Sequence, residues 1–69
     1  MRITINGEPK NIQKGEAPTT LDMVAKQLGH HPKLIVIELN GVISNPNDWN
    51  ETRIEEGDFL EIVTIVGGG

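Results

Sequence analysis

Apolar positions along the chain follow one period, then another. In "RITIN", Ile3 and Ile5 share one parity while Arg2, Thr4 and Asn6 take the other, the two-residue repeat of a strand with one buried side. Asn6-Gly7 comes next, a pair that tolerates positive φ and so predicts a tight hairpin. The return arm, "PKNIQ", has Ile12 as its only large apolar residue, and Pro9 suits an edge strand or the start of one.

The period then lengthens. After the loop "GEAPTT", the stretch "TLDMVAKQLG" places Leu21, Val24, Ala25 and Leu28 at i, i+3, i+4 and i+7, which predicts a helix with one apolar face. Thr19 or Thr20 is expected to cap its free N–H groups, Asp22 suits the positive end of the dipole, and Gly29 stands where a helix ends. Such a short helix is stable only when its stripe lies on a sheet.

A second strand, "KLIVIELNG", is expected to turn Ile35, Ile37 and Leu39 inward and Leu34 and Val36 the other way, with Asn40-Gly41 reversing the chain. "SNPNDWNETR" reads as an irregular connection that Trp49 anchors to the core, and "EEGD" as a turn before the last strand, "FLEIVTIV". In that strand Glu61 and Thr64 have opposite parity, so one buried face cannot hold every apolar residue between Phe59 and Val66. A central strand with both faces partly covered, combined with apolar residues left for a partner, is the expected resolution. The order of elements predicts an α+β domain in which one main helix packs on one face of a mixed four- to five-stranded sheet.

Length limits what else is possible. A chain of 69 residues forms one small core and buries only about 60% of the surface its unfolded form exposes. It has no cysteine, which excludes a disulfide framework, a thiolate metal site and a thiol nucleophile, and suits a reducing compartment. "MRITINGEPK" lacks the apolar core of a signal peptide, and "LIVI" is far too short to span a bilayer, so a soluble cytoplasmic protein is expected.

Net charge is −4 and uneven: six acids against Arg53 alone fall between Asp48 and Glu61. Nucleic-acid binding needs basic residues to neutralise phosphate, so it is disfavoured, and a partner with a basic surface is favoured. Acids that merely keep a small domain soluble explain the same balance.

No catalytic constellation is visible. His30 and His31 are adjacent in a loop without ligands at metal spacing, no Ser, His and Asp set occurs at a plausible elbow, and no glycine-rich loop links a strand to a helix. Glu55, Glu56 and Asp58 are most simply a polar turn. The chain is therefore not expected to be an enzyme in its own right, nor to hold a metal or a bound cofactor.

Gly67, Gly68 and Gly69 follow the last strand directly. By composition they are a flexible tail on a domain spanning residues 1–66. By position they have a second use: four residues from Val66 extend about 14 Å, and glycine, lacking a Cβ, lets a backbone thread a narrow channel in another protein.

"ITINGEP", "TTLDMVAKQLG", "VIELNGVI", and Trp49 followed by "IEEGDFLEIVTIVGGG" together resemble the ThiS family, the sulfur carriers of thiamine biosynthesis. Lys10, where the family usually has an apolar residue, and the longer "QKGEAPTT" connection depart from its pattern. The resemblance implies a ubiquitin-like β-grasp fold. It also implies that Gly69 bears the reactive carboxyl, with Gly67 and Gly68 making the tail slender enough to enter partner active sites. A ThiF-like adenylyltransferase would spend ATP to activate that carboxyl, a sulfur donor enzyme would supply sulfur to give a thiocarboxylate, and a ThiG-like thiazole synthase would receive it. Because the chain has no cysteine, Gly69 is where sulfur would be carried. Phe59 and Ile62, with the acids Glu55, Glu56 and Asp58, are the expected docking residues. The alternatives are another β-grasp sulfur carrier such as the small subunit of molybdopterin synthase, a ubiquitin-like protein modifier, or an interaction module with an inert tail.

Overall fold

The computed structural model describes residues 1–65. Val66 and the glycines Gly67, Gly68 and Gly69, on which the sulfur-bearing and threading roles fall, lie outside the described residues. The elements are β1 (Arg2–Ile5), β2 (Glu8–Asn11), α1 (Leu21–Gln27), β3 (Ile35–Leu39), β4 (Val42–Ser44) and β5 (Phe59–Thr64), with 3-10 turns at Pro32–Leu34 and Pro46–Glu51. They form one sheet in the order β2-β1-β5-β3-β4. β5 lies at its centre, parallel to β1 and antiparallel to β3.

Two Asn-Gly pairs set the hairpins. Asn6 and Gly7 have φ of 52° and 82°, and Asn40 and Gly41 have φ of 51° and 86°, so each pair forms a two-residue loop whose twist matches the flanking strands. Ile5 consequently faces Glu8, and Leu39 faces Val42. The strand β4 that follows Asn40-Gly41 has no counterpart in the sequence expectation. It has three residues, and Val42 and Ile43 are both exposed, so no alternation marks it.

Helix α1 buries Leu21, Val24 and Ala25 completely and Leu28 in part, the face that the spacing predicts. Its end is a Schellman motif: Gly29, at φ 79°, donates its N–H to the Lys26 carbonyl, and His30 donates to that of Ala25. The start differs from expectation, because neither threonine hydroxyl caps the helix. Thr20 instead donates to the Asp22 carboxylate, while the Leu21 N–H donates to the carbonyl of Thr52 at 2.8 Å. Thr20 thus holds the N-cap position without a side-chain cap, and a tertiary backbone contact satisfies one of the free first-turn donors.

The core lies between α1 and one face of the sheet. Ile3, Ile5, Ile35, Ile37, Leu60 and Ile62 come from the strands, and Trp49 and Ile54 seal the end beside α1. Trp49 is the anchor its surroundings predicted: the ring is buried and its Nε1–H donates to the Ser44 carbonyl. Among the described residues no helix is long and apolar enough to cross a membrane.

Candidate functional site

β5 decides what the surface offers. Its side chains alternate without a bulge: Leu60 and Ile62 enter the core, while Phe59, Glu61 and Val63 project from the opposite face. The strand is central, as expected, but no second layer of the described chain covers that other face. Phe59 and Val63 are 61% and 60% exposed. The mixed parity of "FLEIVTIV" therefore reflects uncovered apolar residues and not a strand buried on both sides.

This outcome separates the expected docking residues. Phe59 stands on the open face. Ile62 does not: it is only 7% exposed and packs in the core, because its parity is that of Leu60. The residue of the right parity and exposure is Val63.

The expected acidic residues sit at the other end of the same strand, in the turn that feeds it. Asp58 accepts from the Glu55 N–H at 2.8 Å through Oδ2 and from Asn40 Nδ2 at 3.2 Å through Oδ1. Both carboxylate oxygens of Glu56 accept from the Arg2 N–H. These two side chains close the turn against β1 and the β3–β4 hairpin, and of the three expected acids Glu55 alone has no such bond among the described residues. β5 rises about 3.3 Å per residue, so the turn lies roughly 20 Å from the end of the strand.

Two turn asparagines hold β5 in place. On one side Asn6 accepts from the Ile62 N–H through Oδ1 (2.7 Å) and donates to the Ile62 carbonyl through Nδ2 (3.1 Å). Its side-chain amide thereby continues the β1–β5 ladder one step beyond the last residue of β1. On the other side Asn40 accepts from the Phe59 N–H at 2.9 Å. The strand leading towards residues 66–69 is thus clamped laterally by groups that the sequence presents merely as turn formers.

Histidines play no part in this site. His31 Nδ1 accepts from the Lys33 N–H and caps the 3-10 turn at Pro32–Leu34. Among the described residues no three His, Cys, Asp or Glu side chains gather as metal ligands would.

A family profile described as ThiS family matches residues 3–69, nearly the whole sequence. The chain belongs to the ThiS family. A crystal structure of the thiamine biosynthesis protein ThiS from Geobacter metallireducens superposes with a TM-score of 0.82 at 26% identity, each chain covering the whole of the other. A solution structure of a thiamine biosynthesis protein from the same organism gives 0.79. The fold is accordingly the β-grasp fold that the resemblance implied, with five strands and one main helix. Among curated relatives, a thiazole synthase of Magnetococcus marinus is 35% identical over 69 residues, covering 100% of this chain. An uncharacterized protein ycf40 of Pyropia yezoensis is 36% identical over 67 residues, and the match spans 97% of this chain and 90% of that protein. The match accounts for only 20% of the Magnetococcus thiazole synthase. This ThiS-family chain therefore spans about a fifth of that relative's length.

Proposed function

We propose that this protein is a sulfur carrier of thiamine biosynthesis and carries its sulfur as a thiocarboxylate on Gly69. The observation that carries the reading is the family match, which runs through to residue 69 and so includes the glycines. A carboxylate is a poor electrophile, so a partner adenylyltransferase first joins it to AMP from ATP with loss of pyrophosphate. With hydrosulfide as the simplest donor, sulfur attacks the acyl carbon, AMP leaves with its bonding electrons, and a proton is released. The sulfur then passes to a thiazole synthase. The occurrence of a homologous segment within relatives named thiazole synthase supports that acceptor, since linkage in one polypeptide keeps carrier and acceptor together.

The folded domain contributes two things to this chemistry. It holds β5 laterally through the hydrogen bonds of Asn6 and Asn40, and β5 is the strand that precedes the glycines in the sequence. It also presents the open face of the same strand to whatever grips the tail. Gly67 and Gly68 supply a backbone without side chains, slender enough for a channel in two successive partners.

The test is to incubate the purified chain with the host's adenylyltransferase, ATP and sulfide, then to measure the intact mass and fragment the C-terminal segment. A gain equal to replacing one oxygen by sulfur, localised to Gly69, is the expected result. Gly68→Trp should abolish loading while leaving the fold's thermal transition unchanged. Loading that survives Gly68→Trp, or sulfur found elsewhere in the chain, would overturn the assignment.

A further inference from the structure

The ladder between β3 and β5 places Glu38 directly opposite Glu61, with Ile43 on the other side of Glu38. Two negative charges facing each other across strands destabilise a sheet. Bonds from the Asn40 N–H to the Phe59 carbonyl and from the Ile65 N–H to the Leu34 carbonyl show which rows of this ladder are hydrogen-bonded, and the Glu38–Glu61 row shares their parity. Their Cα atoms are therefore about 5.5 Å apart. Neither glutamate has a basic residue directly opposite it in this ladder.

The surroundings of the pair make it more than a solvated charge. Along the open face the rows run Leu34–Ile65, Val36–Val63, Glu38–Glu61 and Asn40–Phe59. Leu34, Phe59, Val63, Ile65 and, at the edge, Ile43 are each about half exposed or more. Phe59 and Val63 thus flank Glu61 along β5, and Val36 and Ile43 adjoin Glu38, while Asn40, Thr4 of β1 and the turn residue Asn6 are polar. The pair borders an apolar strip that runs along β3 and β5 as far as Ile65. Interface centres are normally depleted of charge, and covering two like charges with apolar surface alone would strand both.

We infer that this face docks a partner protein that places a cationic side chain, most suitably the planar fork of an arginine, between Glu38 and Glu61, with apolar contacts beside it. The inference rests on the proposed function, and the partner is the enzyme that activates Gly69. A guanidinium spans two carboxylates with paired N–H donors and is more weakly hydrated than an ammonium, which suits a covered site. A second copy of this chain fits poorly, because face-to-face stacking about a two-fold axis would bring four carboxylates together. The pair is therefore a reader of its partner at some expense to the isolated fold.

The opposite signs of the stability and binding effects supply the test. The chain and the E38Q/E61Q variant are titrated with the host's adenylyltransferase over a series of salt concentrations, with sulfur loading of both followed by intact mass and self-association by sedimentation. The variant should be more heat-stable than the parent, bind about 30-fold more weakly or worse, and show a shallower salt dependence. F59S/V63S should weaken binding without that loss of salt dependence. If the parent is loaded and the variant binds with the parent's affinity and salt slope, this inference is wrong and the sulfur-carrier reading stands. If the parent is never loaded by an enzyme shown active on another carrier, the functional reading falls and takes the inference with it. Dimerisation of the parent through this face, abolished by F59S/V63S, would also overturn it.

Discussion

Replacing Asn6 isolates the contribution of a side chain that lies in a turn yet performs a strand's hydrogen bonding. Its amide makes two bonds to the Ile62 backbone, at 2.7 and 3.1 Å. Each is worth about 1 kcal/mol net, so Asn6→Gly, which keeps the turn and the positive φ, should cost about 2 kcal/mol. Asn6→Ala also loses both bonds and must hold φ near 52° with a Cβ, which adds about 1 kcal/mol. Asn6→Asp keeps the acceptor for the Ile62 N–H but turns an oxygen towards the Ile62 carbonyl, and should fall at or slightly below the glycine variant in stability. For a domain of 69 residues, whose total stability is roughly 3–10 kcal/mol, such losses are large. At about 4–8 °C per kcal/mol, the glycine variant should melt about 8–16 °C lower. Urea unfolding with unchanged slope gives the free energies, and amide exchange at Ile62 should quicken more than at Leu60. A glycine variant within about 0.5 kcal/mol of the parent would refute the idea that this side chain extends the ladder.

Other perturbations test other parts of the structure. Trp49→Ala should cost about 3–5 kcal/mol in urea unfolding, since it empties a buried site and strands the Ser44 carbonyl, whereas Trp49→Phe should lose less. Gly29→Ala should cost about 1–2 kcal/mol by calorimetry; a Cβ there meets nothing within 4 Å, so the loss is the backbone strain of φ 79° alone. Ile62→Ser should destabilise the domain by at least 2 kcal/mol, while Phe59→Ser should leave the thermal transition within a few degrees and weaken adenylyltransferase binding. The reverse pattern would place Ile62 on the docking face after all.

Much of the fold was legible because the signals are local. The alternation of Ile3 and Ile5, the spacing of Leu21, Val24, Ala25 and Leu28, both Asn-Gly turns and the C-terminal Gly29 all act within a few residues. β4 was missed because an exposed edge strand of three residues carries no pattern of burial. The helix start was legible in position and not in bonding: Thr20 occupies the N-cap, but its hydroxyl donates to the Asp22 carboxylate and the Leu21 N–H is satisfied by Thr52, a residue distant in sequence. Within the candidate site, Phe59 stands on the open face and Ile62 in the core, a split the sequence did not show because "FLEIVTIV" fits either parity until its neighbours are known.

By itself the sequence determined that the chain forms one small α+β core without disulfides, where it turns, and which helix face is buried. Those properties follow from residue type and short-range periodicity. Only the tertiary structure decided which face of β5 stays open, that Glu38 and Glu61 confront each other there, and that Glu56 and Asp58 are occupied in closing a turn. Register is the physical reason. A strand's side chains alternate with a period of two, so a shift by one residue would exchange every buried group for an exposed one. That choice is made by pairing with strands far away in sequence, β1 on one side and β3 on the other.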